Sequence, residues 1–272
     1  MFPSEPLTAA EAAVLETFVV PRYLERFAAP LLEMLLPTDG ARVAHVGCRT
    51  GYPDREICQR VPHATVYGVD RSAASMELAR HMAAAAAVSA QYLPSEMLPT
   101  TLPAAAFSHV ISLHPSLGDH ERGTLFSEMA RLIYVGGQAL VALPMRGSFQ
   151  EIGDLFREYA LKNDDGDLSR SVDEAMASFP TLEILSDELE AVGLEDVDVE
   201  LRHETLRFEN GRSLLEDPSC RLLVIPDLKR CLAGRDLVRP LEYLREAVDR
   251  YWSETQFELT VNIGCASARK VL

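Results

Sequence analysis

Two hydrophobic periods alternate along this chain, and the switches between them mark its elements. Thr8 and Glu11 form a capping box ahead of Val14, Leu15, Phe18 and Val19 at helical spacing. Pro21 predicts an interruption. Leu24, Phe27, Leu31 and Leu35 then predict a second helix that stops at Pro37. The Val-rich run Ala41–Gly47 predicts a first strand, and Pro53 suits a helix start, where its missing N–H costs nothing. Ala64–Val69 predicts a second strand. Ser72 caps an Ala-rich helix from Ala73 to about Ala87, and Ser89–Leu93 follows as a short third strand. Phe107–Leu113 alternates as a fourth strand, and Gly118 to Val135 reads as an amphipathic helix. Gly136-Gly137 predicts a turn, and Gln138–Leu143 a fifth strand.

The second half is more helical. Gly147 to about Leu161 predicts a helix, polar Lys162–Leu168 a loop, and Thr181–Val192 a helix closed by Gly193. Asp196–Phe208 and Phe257–Gly264 alternate as sixth and seventh strands. The segment Glu209–Glu254 between them is far longer than the ~2–5 residues of a hairpin link. It reads as helical, with Leu241, Leu244, Val248, Tyr251 and Trp252 on one stripe. That stripe needs cover, so the insert is expected to cap a cleft or to meet a second copy or a protein partner.

The chemistry concentrates between Ala41 and Asp70. A strand runs into a glycine loop, a helix start and a second strand that ends in an acid. The glycines admit close backbone approach, the helix start offers free N–H groups, and an acid about 20 residues on suits two ribose hydroxyls. Val43-Ala44-His45-Val46-Gly47-Cys48-Arg49-Thr50-Gly51 resembles motif I of the class I S-adenosylmethionine-dependent methyltransferases. Gly47 and Gly51 match its glycines, and Asp70 resembles the acidic end of its second strand. Leu98-Pro99, Tyr134-Val-Gly-Gly-Gln-Ala-Leu-Val and Leu189-Glu-Ala-Val-Gly-Leu resemble later landmarks of the same family.

The resemblance implies a Rossmann-like α/β fold. Its sheet would have seven mostly parallel strands with an antiparallel last one, and helices on both faces. It implies a single domain: N-terminal helices over 1–37, a core over 38–208, the helical insert over 209–254, and a last strand and tail over 255–272. It implies S-adenosylmethionine as cofactor and a small-molecule or lipid-like methyl acceptor. The implied cofactor-binding positions are Gly47, Cys48, Arg49 and Gly51 in the loop, and Asp70 and Arg71 after strand two. Ser95, Glu96 and Met97 fall in the adenine-contacting stretch, and His114 lies beyond strand four. His114 and His120 are also the candidate general bases, needed only for a weakly nucleophilic acceptor.

Composition narrows this further. The 272 residues carry a formal net charge of −15, which disfavours nucleic acid as a partner. The five cysteines show no metal-ligand spacing, so no metal is expected. The first residues lack a basic and apolar leader pattern, and no apolar run reaches the ~18 residues of a membrane span. A reducing, cytoplasmic setting is expected.

A second class of function competes. The family's acids are missing near positions 45, 94 and 108, and Arg49 stands at the middle glycine. These departures fit a methyltransferase fold that has lost its cofactor and serves as a binding or scaffold module.

Overall fold

The computed structural model describes residues 6–115, 119–232 and 235–271. The chain divides into two compact units. The first comprises 1–143, 182–201 and 264–272, and the second 144–181 and 202–263.

The first unit is built on parallel strands. β1 (Arg42–Val46) pairs with β2 (Thr65–Asp70) and with β4 (Phe107–Leu113), and β2 pairs with β3 (Ala90–Pro94). Val43, Ala44, Val46, Val66, Val69, Val110 and Ile111 are buried, which is why these runs read as continuously apolar rather than alternating. β5 (Ile133–Pro144) extends this sheet beside β4. β6 (Glu195–Phe208) and β7 (Phe257–Arg269) complete the order β3-β2-β1-β4-β5-β7-β6. Gly136 N–H donates to Lys270 O and Met145 N–H to Asn262 O, so β5 and β7 run in opposite directions. The expected seven-stranded, mostly parallel sheet with a reversed last strand is the one observed.

Three elements differ from the pattern reading. The N-terminal stripes form one unbroken helical run: α1 (Ala9–Val14), a π-helical stretch (Leu15–Leu24) that contains Pro21, and α2 (Glu25–Met34). The wider π turn accommodates a residue that cannot donate to the usual ladder. Gly136-Gly137 is not a turn between helix and strand. α5 (Asp119–Leu132) passes directly into β5, and the glycines lie in an irregularity where the β4–β5 register shifts. A Cβ on Gly137 would lie 2.8 Å from Ser108 O, so only glycine lets β5 approach β4 there. The predicted loop over 162–168 is shorter than expected: 163–165 alone are non-helical, and 166–168 already begin the next helix. Asp165 accepts a hydrogen bond from Leu168 N–H and caps α7 (Gly166–Ser178). The start of the amphipathic helix predicted from Gly118 falls on 116–118, outside the described residues.

The remaining helices follow expectation more closely. α3 (Asp54–Arg60) follows β1, and α4 (Ala73–Ala85) follows β2 with Ser72 as its cap. α6 (Gln150–Lys162) packs on α7 in the second unit, and α8 (Leu182–Glu190) packs on α5 in the first. The insert between β6 and β7 is helical as predicted. It holds α9 (Gly211–Glu216), a π turn (Cys220–Val224), α10 (Ile225–Cys231) and α11 (Val238–Tyr251). Among the described residues, no helix is long and apolar enough to cross a membrane.

Candidate active site

The site forms where β1, β2 and β4 end, at the carboxyl edge of the parallel strands. After β1 the chain turns at once. Gly47 and Cys48 N–H both donate to Val69 O, which ties the loop to the last turn of β2. Gly51 takes φ +87°, and a Cβ there would lie 2.7 Å from the Tyr92 hydroxyl. That close approach explains the second glycine of the loop independently of any ligand.

Asp70 ends β2 with no exposed surface. Its Oδ2 accepts the Arg49 N–H at 3.0 Å and its Oδ1 accepts the Ser72 N–H at 2.8 Å. The carboxylate therefore binds the glycine loop to the start of α4. Arg49 itself is 6% exposed and sits at φ +46°, a left-handed conformation that favours glycine. Its guanidinium donates to Leu113 O at 2.9 Å and to His114 O at 2.7 Å. These charge-assisted bonds offset the backbone strain and latch the loop onto the end of β4.

His114 follows β4 and is fully buried. Its Nε2 is hydrogen-bonded to the Tyr23 hydroxyl at 2.9 Å, and the Tyr23 and Phe27 rings lie 5.2 Å and 4.7 Å from its own. Burial and the Arg49 charge together pull it from 6.5 down to about 3, so the ring is neutral. The N-terminal run thus closes over this end of the site. The segment before it closes the other, since the Ser72 hydroxyl donates to Leu7 O. His120 opens α5, and its side chain is outside the described residues.

The stretch over 95–97, expected to contact adenine, is more open. Ser95 is buried, its N–H donating to Asp70 O and its hydroxyl to Met97 O. Met97 is 65% exposed. Arg71 and Glu96 approach to 3.7 Å as a loose ion pair with Glu96 largely exposed. The structure thus gathers Gly47, Cys48, Arg49, Gly51, Asp70, Ser95 and His114 around one strand edge. Arg71, Glu96 and Met97 lie on its rim. Burial, reinforced by Asp70 and Asp54, pushes the Cys48 thiol well up, so it is no thiolate.

Pattern reading missed a buried chain under the loop. His45 Nδ1 and Asp54 Oδ1 are 2.7 Å apart, and the Tyr92 hydroxyl donates to Asp54 Oδ2 at 2.8 Å. Asp54 looks in sequence like an ordinary first-turn acid of α3. The available signal was His45 itself: an imidazole on a buried strand needs a partner, and the next helix start is the nearest source. Gly68 belongs to the same device, because a Cβ there would lie 2.4 Å from the Tyr92 ring.

A sequence profile described as a methyltransferase domain matches residues 43–137, the span that carries this loop, Asp70 and the end of β4. That match covers about a third of the chain, and over it the residues resemble a methyltransferase domain. A sequence search of curated proteins gives no match. Among solved structures, a phosphoethanolamine N-methyltransferase of Haemonchus contortus resembles the chain, with a TM-score of 0.58 at 16% identity. That structure holds phosphomonomethylethanolamine and S-adenosylhomocysteine, and the likeness covers 98% of this chain but only 59% of that one. A methyltransferase-like protein of Bacillus halodurans resembles it over 90% of this chain and 98% of its own (TM-score 0.57, 17% identity). A geranyl diphosphate methyltransferase in complex with S-adenosylmethionine covers 98% of this chain and 93% of its own (TM-score 0.50, 15% identity). At such identities the likeness is one of fold. The chain accordingly shares the architecture of these structures, with an arginine latch inside its glycine loop.

Proposed function

We propose that this protein transfers a methyl group from S-adenosylmethionine to a small-molecule acceptor, and that the arrangement described above is its closed form. The observation that carries the reading is the meeting of the glycine loop and Asp70 within the matched segment, through the Arg49 N–H. The acceptors named for two fold relatives, phosphomonomethylethanolamine and geranyl diphosphate, are small molecules and support that class. The net charge of −15 argues against a nucleic acid acceptor.

The side chains as placed do not admit the cofactor. A ribose hydroxyl cannot reach the Asp70 carboxylate, because the residue has no exposed surface; each of its oxygens already accepts one backbone N–H. The Arg49 guanidinium sets a positive charge beside the loop, where a cationic sulfonium donor meets repulsion. Under the proposal, release of Arg49 from Leu113 O and His114 O precedes binding, and the chain then serves to hold donor and acceptor in line.

A second reading rests on the same latch. If Arg49 never leaves the end of β4, the domain is a methyltransferase fold retained for binding, with the helical insert as its partner surface. Calorimetric titration of S-adenosylmethionine into the wild type and into Arg49→Gly separates the two. Saturable binding by the wild type, tightened about tenfold or more by the substitution, is expected under the first reading. Binding by the variant alone, or by neither protein, overturns it in favour of the second.

A further inference from the structure

The first unit holds a cavity of about 400 Å³ against the glycine loop. It lies among the N-terminal helical run, the start of α3, the end of α4 and β3. Gly51 of the loop lines it, but none of Arg49, Asp70, Ser95 or His114 does. Its size is within the range of small-molecule sites.

Its chemistry is two-sided. Val20, Met82, Val88 and the Tyr92 ring supply apolar wall. Glu16 and Glu56 supply carboxylates, and exposed Arg55 is the cation in the lining. Asp54 also lines the cavity, but its two oxygens are already held by His45 and Tyr92. Two polar atoms are left over. Glu16 Oε2 and Thr50 Oγ1 are both buried and neither makes a hydrogen bond of normal geometry, although the two side chains face each other; Thr50 is only 2% exposed. Buried groups of this kind are costly unless something meets them. The surrounding field is negative: burial raises the Tyr52 phenol, and the carboxylates of Glu56, Glu25 and Glu16 raise it further. Burial also raises Glu16; the facing Thr50 hydroxyl opposes this by hydrogen bonding, and Glu56 adds a smaller upward push. Each of these shifts is one that a cation in the cavity would reverse.

We infer that this cavity is a binding site for a small organic ammonium ion, its charged head between Glu16 and Glu56 and its apolar body against Val20, Met82 and Val88. The ammonium donates to Glu16 Oε2, and the Thr50 hydroxyl, 2% exposed, gains a polar neighbour. The inference does not rest on the Asp70 cleft: Glu16, Glu56, Val20, Met82 and Val88, which carry it, take no part there.

The probes are two amines, hexylamine and tryptamine, each beside its uncharged alcohol, hexanol and tryptophol. Calorimetric titration is run on the wild type, on Glu16→Gln and on Ala86→Trp, which fills the cavity from an exposed position. At least one amine is expected to bind the wild type at least tenfold more tightly than its alcohol. Glu16→Gln is expected to remove that preference, and Ala86→Trp to remove binding while the thermal melt stays within a few degrees. Absence of binding by both amines, equal binding of amine and alcohol, or unchanged binding in both variants overturns the inference.

Discussion

At the scale of single residues, the site is governed by what replaces glycine and acid in the loop. Arg49 and His45 introduce two bulky polar groups into a buried turn, and each has recruited partners. Arg49 took the carbonyls at the end of β4, and His45 took Asp54 and, through it, Tyr92. His114 pays a different tribute to burial: it is held neutral against Tyr23 with Arg49 beside it. The sign of its effect on stability follows. Its folded value, about 3, is below the ordinary 6.5. The unfolded chain therefore binds the proton first as pH falls. The stability that His114 contributes is complete above about pH 6.5 and is lost towards about pH 3, at up to ~1.4 kcal/mol per pH unit. Urea unfolding of the wild type and of His114→Gln across pH 4–7 checks this. The wild type should lose stability relative to the variant as pH falls, and parallel curves would show that the ring is not held neutral.

At the scale of elements, strands were more legible than helix boundaries. β1, β2 and β4 announced themselves because parallel strands buried on both faces read as unbroken apolar runs. The glycine loop and Asp70 were legible for the same local reason, as a turn and an acid at fixed spacing. What sequence did not disclose depended on partners far along the chain. Pro21 looks like a break until a π turn absorbs it, and Gly136-Gly137 looks like a turn until Lys270 pairs with Gly136. The same holds for Arg49: its side chain is committed by carbonyls 64 and 65 residues away, which no local pattern contains. Close backbone contact gives this scale its prediction. Gly211 at the start of α9 meets α11, and a Cβ there would lie 2.2 Å from Arg245 O and 2.6 Å from its Cα. The Gly211 N–H also donates to Asp249 Oδ1 at 2.7 Å, so α9 cannot slide away freely. Gly211→Ala is expected to destabilise by about 1–3 kcal/mol through overpacking. Chemical denaturation measures it, and a change within ~0.5 kcal/mol would mean that α9 shifts at little cost.

At the scale of the whole molecule, charge sets the balance. The chain has 41 acidic and 26 basic side chains, a formal net charge of −15. Its exposed ion pairs, such as Arg170–Asp167 and Arg212–Glu216, contribute little each. The charge-assisted contacts that matter, buried Arg49 on Leu113 O and His114 O and half-buried Arg131 on buried Glu128, are short and less screened than the surface pairs. Added salt should therefore weaken the net repulsion more than the contacts that hold the fold. Between about 0.01 M and 0.5 M sodium chloride, the screening length falls from ~30 Å to a few ångströms. The midpoint of thermal unfolding should rise, by about 2–4 °C for each kcal/mol of repulsion removed. A thermal melt series in salt tests this directly. A midpoint that falls instead would place the dominant electrostatic term in attractive surface pairs and against the self-repulsion that the composition predicts.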